Sequence, residues 1–418
     1  MMGAVDSLPS ENSYIESQTL GVRLIMSSDD YEGLARSYWE TPRVNGVLRK
    51  WEGFRAEIIE EWKRIARIYA PSGNETLRAE YMTERFRGYG IEDAYIDPHG
   101  NAVAPIVKGE GPTVAFLATM DDLATVAELV KAWDRPIEER DGKLVGPGTN
   151  IGSICTAGLG LAKLFTLPEV EFSGTIYVIG VTQEETGLAG TKGFIRDHPE
   201  LDYVVDMMGG VGRMSYGALG IHWFKLHYKG PRAHTLRGPG PNVTKGVAKS
   251  VTRIFSIPLP PYTYLNISMM GAGKVYNHRS DDGWHSVDLR STDNANIKAM
   301  REEIERIATE VSGEEELEWW VEPFSATPAG QIPGARGSKL VRVAEEVTKL
   351  MGFEPTLSDR GSCNMNAGVA AGVSTISTGG GRGGSRDTAE EYANIEPNLL
   401  GVKLNFLIGY ILTNGKRD

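Results

Sequence analysis

Gly174-Thr175-Ile176-Tyr177-Val178-Ile179-Gly180-Val181-Thr182-Gln183-Glu184-Glu185-Thr186-Gly187 carries an apolar run directly into two adjacent carboxylates. The run has the length and β-branched content of a buried strand. Open α/β sheets place their chemistry at the carboxyl ends of such strands. Side chains alternate along extended backbone, so Glu184 and Glu185 can serve different tasks, one directed to a cation and one to a water. An isolated Glu-Glu pair is more often a solvated turn than a reactive site. The rest of the chain therefore decides how this pair is read.

Working outward, a second buried run, Thr113-Val114-Ala115-Phe116-Leu117-Ala118-Thr119, lies upstream, and a helix is expected over Cys155 to Phe165 between the two. Further upstream, Leu48, Trp51, Ile58, Trp62, Ile65 and Ile68 recur at helical spacing between Val47 and Tyr69, with Pro71-Ser72-Gly73-Asn74 as the stop. A second helix is expected from there towards Tyr89, followed by a hairpin at His99-Gly100-Asn101. Strand alternating with helix predicts an α/β fold built on a mainly parallel sheet covered on both faces.

After Met208-Gly209-Gly210 the pattern changes. His222–Lys229 alternates like a half-exposed strand, Asn242–Phe255 is amphipathic, Tyr264–Met269 and Trp284–Leu289 read as strands, and Asn294–Val311 as a charged helix. This order predicts an inserted α+β unit of split βαβ type. A helix at Ser338–Met351, a strand at Val373–Ser377 and a last helix from Pro397 return to the first style. The expected division is an extension over 1–46, a catalytic domain in two parts over 47–216 and 327–418, and a lid or dimerisation domain over 217–326.

Composition narrows the function. The 418 residues exceed what one core usually organises, and 44 basic against 55 acidic residues give a net charge of −11. That balance leaves no basic footprint for nucleic acid or for an anionic membrane, so a small molecule is the expected target. Cys155 and Cys363 form no disulfide framework or zinc motif and suit a reducing cytoplasm. Met1–Glu16 lacks the layout of a signal peptide, and no apolar window reaches membrane-spanning length. The glycine-rich loop Gly379-Gly380-Gly381-Arg382-Gly383-Gly384 lacks the Lys-Ser/Thr of a P-loop. No Gly-x-Ser-x-Gly elbow occurs. Trp62 and Trp319-Trp320 read as core or interface anchors.

Taken in order, these motifs resemble the M20 family of metallopeptidases and aminoacyl hydrolases, on the tripeptide-aminopeptidase-like branch, over about Val47 to Leu412. The resemblance implies a catalytic domain interrupted by a lid used for dimerisation. It also implies that Glu184 is the general base, with Glu185 and Asp206 as metal ligands. The family's His-x-Asp appears here as Thr119-Met120-Asp121, its bridging aspartate falls on Ile151, and its last histidine ligand falls on Asp387 in Arg386-Asp387-Thr388-Ala389-Glu390-Glu391. No histidine stands at a metal position. An oxygen-only set of Glu185, Asp206, Asp387 and Asp121 implies at most one weakly held hard cation, with Mn²⁺ favoured over Zn²⁺. The other reading has no metal, with Arg386 or Arg360 supplying the positive charge.

Gly230-Pro231-Arg232-Ala233-His234-Thr235 is similar to the lid motif whose histidine polarises the scissile carbonyl from a neighbouring subunit, and Asn277 and Arg290 resemble residues that hold a substrate carboxylate. Arg290 serves equally well as half of a domain ion pair. Arg360 and Arg386 are further candidates for substrate binding. In Gly361-Ser362-Cys363-Asn364-Met365-Asn366, Cys363 reads as a small core residue rather than a nucleophile. The remaining histidines, among them His99, His198, His222, His227, His278 and His285, read as turn or face residues.

Three functions remain open at this point. One is a C–N hydrolase of a small carboxylate-bearing substrate, forming a homodimer or larger assembly. The second is an aminohydrolase that removes an aromatic amine, as 5-nitroanthranilate aminohydrolase of the same family does. The third is a metal-free binder on the same fold.

Overall fold

A computed structural model describes residues 30–381 and 383–415. Most of the expected extension, residues 1–29, and Arg382 of the glycine-rich loop lie outside the described residues.

The central sheet has eight strands in the order Tyr95–Ile96, Ala102–Val107, Thr175–Val181, Thr113–Thr119, Tyr203–Gly209, Ser374–Gly379, Arg213–Ser215, Thr356–Ser358. The four inner strands from Thr175–Val181 to Ser374–Gly379 run parallel, with Val114 opposite Ile176 and Thr119 opposite Val181. Alternation decides which core each side chain joins. Val114, Phe116 and Ala118 pack with the helices Thr149–Phe165 and Ile395–Thr413, whereas Ala115 and Leu117 pack with Phe194 and Ala367 on the opposite face. A strand buried on both faces is mostly apolar along its length, which is why Val114 to Ala118 read as an unbroken run.

The expected helix over Val47 to Tyr69 is two helices, Pro42–Gly53 and Arg55–Ile65, joined at Phe54. Gly53 is a poor helix former at the joint. The break lets both indoles reach the main core, where Trp51 donates to the Leu399 carbonyl at 3.0 Å and Trp62 to the Thr149 carbonyl at 2.9 Å. The lead over residues 31–46 also packs, because Ala35, Tyr38 and Val44 are buried in that core. The helix expected from Cys155 begins earlier, at Thr149.

A second, antiparallel sheet takes the order Thr263–Asn266, Asp282–Ser291, Gly220–Lys229, Glu318–Thr327. Helices Val243–Phe255 and Asn294–Glu315 cover one of its faces, and Phe224, Leu226, Tyr228, Val287 and Leu289 form a core of their own with them. The strand expected over Tyr264–Met269 is split. Asn266 pairs with Asp288 and Met270 with His285, so four residues on one side span three on the other, as at a bulge. The opposite face carries Trp223, Lys225 and His227, with Trp320 stacked on His227 at 4.9 Å. Among the described residues, no helix is long and apolar enough to cross a membrane.

Candidate active site at the carboxyl ends of the inner strands

Parallel register brings Asp121 and Glu184, just past the ends of Thr113–Thr119 and Thr175–Val181, towards Asp206, which lies within Tyr203–Gly209 opposite Leu117. Two carboxylates, Asp121 just past a strand end and Glu75 at the start of the helix Thr76–Gly88, hold the turn that carries Glu184. Asp121 accepts the Glu184 and Glu185 backbone N–H groups at 2.9 Å each, and buried Glu75 accepts that of Gln183 at 3.0 Å. The turn needs this anchoring because Gln183 and Leu188 both hold positive φ, 56° and 64°, in the left-handed region that L side chains disfavour. Gly187 is required within it. Its φ is 115°, and a Cβ there would lie 2.7 Å from Ser325 Oγ.

Glu184 and Glu185 line a cleft of ≈ 100 Å³ together with Trp223, Arg290, Ser362 and Cys363. Burial raises the Glu184 carboxyl well above its ordinary range, and the charges of Glu185, Asp121 and Asp206 raise it further, while Arg386 opposes them. Burial also raises Glu185, against the lowering effect of Arg386, whose Nη2 donates to Glu185 Oε1 at 2.6 Å. Asp206 is fully buried beside Cys363, Asn364 and Ser377, and burial lifts it to about 6. Beneath the pair, Arg78 and Asp122 form an ion pair at 2.8 Å with both side chains fully buried.

The positions that the resemblance assigned to metal ligands have other partners here. Thr119 Oγ1 accepts from Asn364 Nδ2 at 2.8 Å and contacts Met208 Sδ at 3.3 Å. Ile151 is buried and apolar. Asp387 accepts a hydrogen bond from the Thr125 hydroxyl, and Asp121 is engaged by two amides. Of the other two expected ligands, Glu185 meets Arg386 and Asp206 meets Asn364. Among the described residues no three His, Cys, Asp or Glu side chains are grouped as a metal site. The residues present do not fit the group, because an ion needs several deprotonated ligands free to converge on it.

The expected substrate residues separate into three places. Arg290 reaches the cleft, held by Asp288 at 2.9 Å and donating to Ser362 Oγ at 3.0 Å, with its guanidinium 5.6 Å from the Trp223 ring centroid. It thus serves the ion-pair role and still faces the site. Arg360 lies beside its neighbour Asp359 at 3.4 Å and over the Tyr262 ring, lining an adjoining cavity of ≈ 360 Å³. His234 and Asn277 pair with each other at 3.4 Å on the short strand pair Ala233–His234 and His278–Arg279, and neither lines the Glu184 cleft of its own chain.

Glu75, the Arg78–Asp122 pair and the Asn364–Thr119 contact had no counterpart in the sequence reading. The second aspartate of Asp121-Asp122 was the available signal. Cys363 is buried and its thiol is pushed well up by burial and by Asp206, as befits a core residue. Of the other histidines, His285 is buried against Ser250, and His99, His198 and His227 pair with Asp197, Glu200 and Glu322.

The sequence model of Peptidase family M20/M25/M40 matches residues 115–407, and the chain belongs to that family. Among curated proteins it is similar to one from Pyrococcus furiosus provisionally described as a LysW-lysine/LysW-ornithine hydrolase, with 31% identity over 174 residues. That match covers 42% of this chain and 45% of the relative, so the chain spans less than half the length of the relative it matches. In fold it resembles a tripeptidase from Staphylococcus aureus, with a TM-score of 0.69 and 20% identity over 86% of this chain and 98% of that one. It also resembles the YXEP protein of Bacillus subtilis, described as a dinuclear metal-binding peptidase of the M20 family, with a TM-score of 0.62 and 15% identity over 87% and 99% of the two chains.

Proposed function

We propose that this protein hydrolyses a C–N bond in a small carboxylate-bearing substrate, with Glu184 as the base that activates water. One observation carries the reading: the cleft that exposes Glu184 is also lined by Arg290 and Ser362. A base and a carboxylate anchor thus face the same space. Packing Glu184 against Glu185, Asp121 and Asp206 is electrostatically unfavourable, and such arrangements concentrate at reactive sites. A binding pocket alone has no use for them.

In the proposed reaction the water oxygen bonds to the amide carbon as its proton passes to Glu184. Collapse of the tetrahedral intermediate breaks the C–N bond, and Glu184 returns the proton to the leaving nitrogen. The products are a carboxylic acid and an amine, and Arg290 holds the substrate carboxylate by a charge-assisted pair. No step is assigned to a metal.

A second reading is favoured by the larger neighbouring cleft of ≈ 470 Å³, walled by Trp223, Met269 and Phe324 and reaching Glu185. An aromatic ring fits such walls. The test is a panel of N-acyl amino acids, short peptides and aminobenzoates assayed for released amine or ammonia. Glu184→Gln should lower turnover on the order of 10²–10⁴-fold while ligand binding persists. Equal turnover by the variant would overturn the assignment, and ammonia from an aminobenzoate alone would select the second reading.

A further inference from the structure

Arg386 stands between two residues of positive φ, Ser385 at 53° and Asp387 at 64°. Asp387 meets Thr125, while Arg386 meets Glu185 at the site. The guanidinium also lies close enough to Glu184 and Glu391 to feel both charges, and two-thirds of its side chain is withdrawn from solvent. It is thus the cation around which these carboxylates are arranged. The Thr119 hydroxyl is already engaged by Asn364 and Met208, and Ile151 has no donor atom for a metal ion.

We propose that Arg386 is the resident cation of this site, a fixed guanidinium in place of a metal ion. Its role is positioning: it donates a hydrogen bond to the Glu185 carboxylate, holds it in place and offsets the acid cluster around Glu184. A guanidinium suits the task because it is always charged, is weakly hydrated and presents a rigid planar fork. It also repels a divalent ion competing for the same Glu185 oxygen. The catalytic meaning of this assignment rests on the hydrolase reading. The assignment itself does not need a substrate to be tested.

The experiment combines metal analysis with thermal unfolding of the full chain. Wild type dialysed against EDTA should contain well under one divalent ion per chain, and added Mn²⁺ or Zn²⁺ should leave its Tm unchanged. Arg386→Met, of similar length and without charge, should lower Tm on the order of 5 °C, whereas Arg386→Lys should retain most of it. Saturable stabilisation of wild type by Mn²⁺ or Zn²⁺ would overturn the proposal, as would equal Tm values for the Met and Lys variants. If Arg386→Met does not fold, the wild-type metal titration decides alone. Failure to find any turnover would count against the hydrolase reading and leave these readouts intact.

Discussion

The carboxylate of Asp121 accepts the backbone N–H of Glu184 at 2.9 Å, so the acid at the end of one strand fixes the backbone that carries the acid at the end of the next. The same contact sets two negative groups close together. Geometry and electrostatics are thereby coupled: what positions Glu184 also raises its carboxyl, in addition to the larger effect of burial.

A pH–rate profile should show this coupling. A base acts when deprotonated, so kcat/KM should rise with pH, with the ascending limb well above the ordinary 4.5 of a glutamate. Arg386→Met should move that limb to higher pH, because the positive charge of Arg386 opposes the rise. A limb at the ordinary carboxylate value would remove Glu184 as the base.

Asp206 gives a stability test of defined sign. Burial lifts it from 3.8 to about 6, so between those values the folded chain binds its proton and the unfolded chain does not. Its contribution to stability is complete below about pH 4 and is lost as pH rises through about 6, an effect of roughly 3 kcal/mol. Asp206→Asn cannot ionise. Denaturant melts at pH 4.5 and 7 should show the variant gaining on wild type at the higher pH.

The Arg78–Asp122 pair is fully buried, so removing one partner leaves a charge without compensation. Arg78→Met should cost about 3–5 kcal/mol in chemical denaturation, and Arg78→Met combined with Asp122→Leu should cost less than the single change. Additive losses would show that the two charges do not depend on each other.

His234 and Asn277 lie beside Leu236 and Tyr276, which are 90% and 108% exposed. With half-exposed Val275 they put several apolar side chains in solvent beside one strand pair, and contiguous apolar patches mark interaction sites. Light scattering at micromolar concentration should give a dimer or a larger symmetric assembly, and Leu236→Asp combined with Tyr276→Asp should weaken it. A purely monomeric wild type would take His234 out of the site.

Cys155 and Cys363 are both buried, and burial pushes the Cys155 thiol up to about 12. A thiol-specific reagent at pH 8 should label neither in the folded chain and both after denaturation. Rapid labelling of Cys363 under native conditions would reopen its reading as a nucleophile.

The strands Thr113–Thr119 and Thr175–Val181 were legible in the sequence because a strand covered on both faces favours apolar side chains along nearly all of its length. The second unit was legible from its order of elements, and Glu184 and Glu185 from their place after a buried strand. The break at Phe54 and the bulge between Asn266 and Met270 were not, since periodicity sums over a window and does not register one displaced residue. The use of each acid was also beyond the sequence. Asp121, Asp206 and Asp387 are the same residue type, yet one holds two amides, one is buried beside Cys363, and one meets Thr125. The chain by itself determined which carboxylates exist and which strand ends carry them. Tertiary structure decided which of them bind backbone, which meet Arg386 and which remain facing the cleft, because a carboxylate's role depends on the donors that long-range packing brings within 3 Å of it.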